Sequence, residues 1–158
     1  MERNIEFDCI ETLKSSSKPV IIYSLTEEAE AVANSCKEKG IQVTAFCDNE
    51  IRKTEKPHCG LEVIYTPYLP SRFKDANFIL AHHTLGDCAE QLSDLGYKNF
   101  FSPLELFKNY DVDKFNHRAS QSYIKKKIAN AIKINELYFD DSKTYLRSLD
   151  VVITTKCS

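Results

Sequence analysis

The residues of this 158-residue chain with the widest chemical repertoire are its four histidines and six cysteines, and their spacing limits what they can do. His82 and His83 stand side by side immediately after a short apolar run, residues 77–81, so both leave the end of a buried strand. Two imidazoles there can offer hydrogen bonds to a bound molecule, or can be two polar loop residues facing water. Asp48, followed by Asn49, ends another apolar run. Its carboxylate either accepts from a ligand's hydroxyls or folds back on its own backbone in an Asx-turn. Ser24 and Thr26 bring hydroxyls to the end of a third run. His58 and Cys59 are adjacent, but nothing else at ligand spacing accompanies them, so no zinc site is expected. No nucleophile elbow, Walker loop or paired-carboxylate pattern is present, and no catalytic residue is assigned within the chain.

These residues need elements to hold them. Pro19-Val20-Ile21-Ile22-Tyr23 is continuously apolar rather than alternating, the mark of a strand buried on both faces of a parallel sheet. A helix is expected over 27–39, with Thr26 as N-cap, Ala29, Val32, Ala33 and Cys36 on one face, and Gly40 as the stop. Residues 41–47 read as a second strand, 61–65 as a third, 77–81 as a fourth and 99–101 as a fifth. A helical stripe of Leu85, Cys88, Leu92 and Leu95 is closed by Gly96, and Ser102-Pro103 opens a further helix. Strands alternating with helices imply βαβ units, hence an α/β, doubly wound parallel five-stranded sheet in the order 3-2-1-4-5. Residues 119–139 form a C-terminal helical extension with Ile124, Ile128, Ala131, Asn135 and Tyr138 on one stripe. Lys125-Lys126-Lys127 reads as a solvated face. Asp140-Asp141-Ser142 reads as a break in that helix followed by the cap of another, and Val151-Val152-Ile153 as the start of one more strand. The expected division is a first domain over 1–110, a helical connector over 111–149 and the start of a second domain over 150–158.

Charge and composition exclude several roles. Lys and Arg total 21 against 23 Asp and Glu, a formal net charge of −2, and the pI is about 6.1. That balance lacks the broad basic surface nucleic-acid binding needs, so no nucleic-acid partner is expected. No apolar run is long enough to span a membrane, and Met1 is followed by Glu2, Arg3 and Asn4 rather than an apolar leader. The cysteines (Cys9, Cys36, Cys47, Cys59, Cys88, Cys157) are scattered, mostly within apolar patterns, and read as free thiols of the cytoplasm.

Residues 18–106 resemble the Rossmann-like domains that precede sugar-modifying enzymes and sugar-nucleotide acyltransferases. The likeness lies in five steps in order: Ile22-Tyr23, Lys39-Gly40-Ile41-Gln42-Val43, Phe46-Cys47-Asp48-Asn49, Gly60-Leu61-Glu62-Val63 and Leu95-Gly96-Tyr97-Lys98-Asn99. In those domains a Gly-x-Gly-x-x-Gly turn follows the first strand; here Ser24, Thr26 and Ala29 occupy the glycine positions. The first glycine permits the tight turn and the second lets backbone N–H groups approach a pyrophosphate. Thr26 adds a side chain at that approach. Glu27 and Glu28 put negative charge at the helix N-terminus that would otherwise attract phosphate. The resemblance implies a substrate site at the carboxyl edge of the sheet formed by Ser24, Thr26, Asp48, His82 and His83, holding a sugar nucleotide or another small molecule, with its phosphate grip degraded.

Residues 149–158, Leu-Asp-Val-Val-Ile-Thr-Thr-Lys-Cys-Ser, resemble the opening of a radical S-adenosylmethionine (SAM) domain. In that family the first barrel strand runs into a C-x3-C-x2-C loop whose thiolates hold a [4Fe-4S] cluster, with SAM on the open iron. The resemblance implies that Cys157 is the first cluster ligand, that the chain is a fragment cut off there, and that cluster and SAM belong to the longer parent rather than to this piece. The function so implied is an accessory substrate-binding, docking or oligomerisation domain of a radical SAM enzyme acting on sugars or sugar nucleotides, itself inactive alone. Two alternatives stay open. One is the leading domain of a SAM-dependent sugar methyltransferase, which a similar Asp-Asp-Ser-Lys step (Asp140-Asp141-Ser142-Lys143) also accompanies. The other is a stand-alone interaction module with a degenerate nucleotide site.

Overall fold

The computed structural model describes residues 5–140. The second helix expected after Ser142, the strand at 151–153 and Cys157 lie outside them. Strands and helices mostly alternate: β1 (Ile5–Glu6), α1 (Ile10–Ser15), β2 (Val20–Tyr23), α2 (Glu27–Lys39), β3 (Ala45–Asp48), then a short 3-10 segment (Ile51–Glu55) in place of an α-helix, β4 (Val63–Tyr65), α3 (Leu69–Arg72), β5 (Asn77–Leu80), α4 (Leu85–Asp94), β6 (Asn99–Phe101), α5 (Leu104–Lys108) and α6 (Gln121–Tyr138). All strands pair in parallel, in the order β1-β6-β5-β2-β3-β4.

Because successive side chains point to opposite faces, each strand feeds two cores. Val20, Ile22, Phe46, Val63, Ile79 and Phe101 face a core closed by α1, α2, α5 and α6, where Leu13, Val32, Leu106, Ile124 and Ile128 are buried. Ile21, Tyr23, Cys47, Ile64, Phe78, Leu80 and Phe100 face the other, closed by α3 and α4 through Leu69, Cys88, Ala89 and Leu92. Burial of both faces is why β2 is continuously apolar and β5 is apolar after Asn77: all four residues of each are buried.

Three details correct the reading from sequence. Among the described residues the sheet has six strands rather than five, so the order 3-2-1-4-5 is incomplete; Ile5–Glu6 adds a strand outside β6. The strand expected from residue 41 begins at Ala45. Ile41 instead completes the end of α2: Gly40 is left-handed at φ +76, its N–H donates to the Lys37 carbonyl, and the Ile41 N–H donates to that of Cys36. That Schellman closure brings a hydrophobic residue back onto the helix, which accounts for the apolar Ile41 without a strand. Finally, the helix expected as a C-terminal extension packs into the first core beside α2 and α5, burying Ile124, Ile128 and Ala131. It is fastened there by Asn135, whose Oδ1 accepts from the buried Ser102 hydroxyl at 2.6 Å and whose Nδ2 donates to the Ala131 carbonyl at 2.8 Å.

Candidate functional site

The β2–α2 turn divides the carboxyl edge of the sheet into two hollows. Ser24 is the first residue of that turn. Its N–H still donates to the Cys47 carbonyl at 2.9 Å, continuing the ladder with β3, but its φ is +100. L-residues rarely adopt this backbone, and it is the one a glycine would take without strain. The chain therefore keeps the backbone of a glycine turn while carrying serine, at a cost of about 1–2 kcal/mol. Thr26 caps α2 by accepting from the Ala29 N–H at 3.4 Å, and Glu27, Glu28 and Glu30 all fall in the first helical turn. The carboxylates complement the helix dipole and oppose an anion.

The first hollow, of about 390 Å³, lies between this turn, the end of β5 and α6; its walls include Thr26, Glu28, His82, His83, Lys127 and Asn130. Phe107 and Ile134 supply an apolar wall. His82 is fixed by the loop that follows it: the Thr84 backbone N–H donates to Nδ1 at 3.2 Å, and the Thr84 hydroxyl lies 2.8 Å from the same nitrogen. An Nδ1 that accepts places the neutral ring's proton on Nε2, which remains the donor. Burial, helped by His83 stacked 4.2 Å away, holds the His82 pKa below the ordinary value, so the ring is neutral at pH 7. Opposite it, Glu28 Oε2 is buried without a hydrogen-bond partner, and Lys127 Nζ is 4.0 Å from the same carboxylate's Oε1.

The second hollow, of about 540 Å³, lies on the β3 side and is lined by Ser24, Thr26, Glu27, Glu30, Asp48, Lys53, Lys56, His58 and Arg118, among others. Here Asp48 Oδ1 accepts from the Glu50 N–H at 2.8 Å, the Asx-turn geometry, while the residue still faces the hollow. Its neighbour Asn49 is committed elsewhere, donating to the Tyr23 hydroxyl at 2.7 Å and exchanging hydrogen bonds with Gln91 at 2.9 and 3.0 Å.

The structure thus brings the five expected residues to one sheet edge but parts them into two sets that share Thr26: Ser24 and Asp48 on one side, His82 and His83 on the other. Cys157, expected as a cluster ligand in a longer parent, lies outside the described residues. Sequence reading left out Lys127, Asn130 and Ile134, although each precedes by one a member of the buried stripe Ile128, Ala131, Asn135 and so borders it. It also expected nothing beside His58 and Cys59, whereas α2 delivers Glu30 there: Glu30, His58 and Cys59 place one ligand atom each within 4.8 Å of one another. Burial raises the buried thiols of Cys9 and Cys36 to about 12 and that of Cys88 to about 11, which leaves them protonated and unreactive. Among the described residues, no helix is long and apolar enough to cross a membrane.

No protein-family model, curated protein or solved structure matches the chain.

Proposed function

We propose that this chain is a small-molecule-binding module built on a nucleotide-type scaffold, and that its ligand is rich in hydroxyl groups, as a sugar is, rather than gripped by its phosphates. The observation that carries this reading is the first hollow. It sits at the carboxyl edge of a parallel sheet, where such sheets place ligands, and its volume falls in the range of roughly 300–1,000 Å³ usual for small-molecule sites. Its polar equipment is an unpartnered carboxylate oxygen of Glu28, the Nε2–H of a neutral His82, and the side chains of His83, Asn130 and Lys127. Acceptors and donors of this kind, set against the apolar Phe107 and Ile134, suit hydroxyls that both give and accept hydrogen bonds. The three glutamates in the first turn of α2 disfavour a pyrophosphate on the helix N-terminus.

Thermal unfolding across four ligand groups tests the reading: free sugars, nucleotide sugars, nucleotides and pyrophosphate. At ligand one hundred times Kd, binding stabilises by about 2.7 kcal/mol, which a melting curve resolves. The sugar-bearing members should raise the midpoint, pyrophosphate should not, and Glu28→Gln should abolish the rise. An equal rise with pyrophosphate or plain nucleotides would contradict the reading. No response to any member at millimolar concentration would favour the interaction-module alternative.

The pairing of this module with a radical SAM domain is part of the same proposal. It is supported by Thr154-Thr155-Lys156-Cys157 and the strand pattern before it, and the cluster and SAM would supply radical chemistry on the held ligand. The gene sequence after Ser158 discriminates. Two more cysteines at C-x3-C-x2-C spacing support the pairing, and a glycine-rich strand end favours the methyltransferase alternative.

A further inference from the structure

On the β3 side, away from the sugar hollow, three metal-ligating side chains meet that are widely separated in sequence. Glu30 comes from the first turn of α2; His58 and Cys59 come from a tight hairpin. His58 and Leu61 exchange both backbone hydrogen bonds, at 2.8 and 2.9 Å, and the two residues between them, Cys59 and Gly60, have φ +48 and +74. Positive φ at both central positions is the type I′ turn, whose first central residue is ordinarily Asn, Asp or Gly. Cysteine there is held in a backbone an asparagine would occupy with less strain. The His58 ring stands edge-on to Phe46 at 4.8 Å. Its Nε2 is buried without a hydrogen-bond partner and lies 3.5 Å from Glu30 Oε1. That nitrogen is a buried polar atom whose hydrogen-bonding capacity no protein group satisfies.

We propose that Glu30, His58 and Cys59 bind a divalent cation of borderline softness, Zn²⁺ above all. A tetrahedral Zn²⁺ with bonds of about 2.0–2.3 Å holds its ligand atoms about 3.3–3.8 Å apart. Atoms already within 4.8 Å need to close by only about 1 Å. Thiolate and imidazole select Zn²⁺ over Mg²⁺ or Ca²⁺, which prefer all-oxygen shells. Three protein ligands leave the fourth position to water or an incoming group. Arg118, whose charge acts on both His58 and Cys59, is exposed to solvent rather than buried against them. The ion would tie the loop after β3 to α2.

The test uses the full reduced chain and Co²⁺ as the spectroscopic probe, followed by displacement with Zn²⁺. The expected result is one equivalent of Co²⁺ bound with a thiolate-to-metal charge-transfer band, displaced by Zn²⁺ and untouched by Mg²⁺. Cys59→Asn, which suits the turn and should melt no lower than wild type without metal, should lose the band. Glu30→Gln, which leaves the turn intact, should weaken binding about ten-fold or more. Cys157→Ser should behave as wild type. The proposal is overturned if wild type shows no thiolate band at millimolar Co²⁺, if Cys59→Asn keeps it, or if Cys157→Ser removes it.

Discussion

Replacing Ser24 by glycine and, separately, by alanine separates backbone strain from side-chain loss at the β2–α2 turn. At an ordinary position glycine is less stable than alanine by roughly 0.5–1 kcal/mol, because it has more freedom to lose on folding. At φ +100 the order should reverse. Alanine keeps the Cβ and with it the strain of about 1–2 kcal/mol, whereas glycine removes both. Subtracting glycine's entropy penalty of roughly 0.5–1 kcal/mol leaves Ser24→Gly more stable than Ser24→Ala by about 0.5–1 kcal/mol. For a chain of this size that difference moves the melting midpoint by about 1–4 °C. Urea unfolding with equal slopes for the two variants reads the same difference independently. If Ser24→Gly proves less stable than Ser24→Ala, the turn is not held in a backbone that favours glycine.

Other consequences are equally open to measurement. His82 and His58 both have pKa values held below the ordinary one, chiefly by burial. The unfolded state then takes up protons that the native state refuses, so stability should be full above about pH 7 and fall as pH drops through the ordinary histidine value near 6.5. His82→Asn, whose amide oxygen can replace Nδ1 as acceptor, should flatten part of that slope in pH-dependent urea melts; an unchanged slope would contradict the assignment. Asn135→Ala removes the acceptor of the buried Ser102 hydroxyl and should cost about 1–3 kcal/mol in urea unfolding. A loss below half a kcal/mol would mean that α6 is not fastened to the sheet there.

How much of this was legible beforehand depended on the length of each signal. The runs at Val20–Tyr23 and 78–80 are apolar because they are buried on both faces, and that shows in any reading of the residues. Thr26, the i, i+4 spacing of Val32 and Cys36, and Gly40 define α2 by local chemistry alone. Ile5–Glu6, by contrast, is a strand of two residues whose identity comes from pairing with Phe100 and Phe101, nearly a hundred positions away. Ile41 misleads for the opposite reason: it is apolar because it closes a helix end. The site was legible as a set of residues at one sheet edge but not as two hollows, since it is α6 that walls off His82 and His83 through Lys127, Asn130 and Ile134. Glu30 beside His58 could not be foreseen from spacing, because a helix and a hairpin 28 residues apart meet only in the folded chain.

The most direct test follows the amide and imidazole resonances of the labelled protein while a nucleotide sugar is added. Saturable shifts centred on Glu28, His82, His83 and Asn130, reproduced by the free sugar and absent with pyrophosphate, are what a hydroxyl-gripping hollow produces. Shifts confined to residues 24–28 that pyrophosphate reproduces would show instead that the turn still holds phosphate.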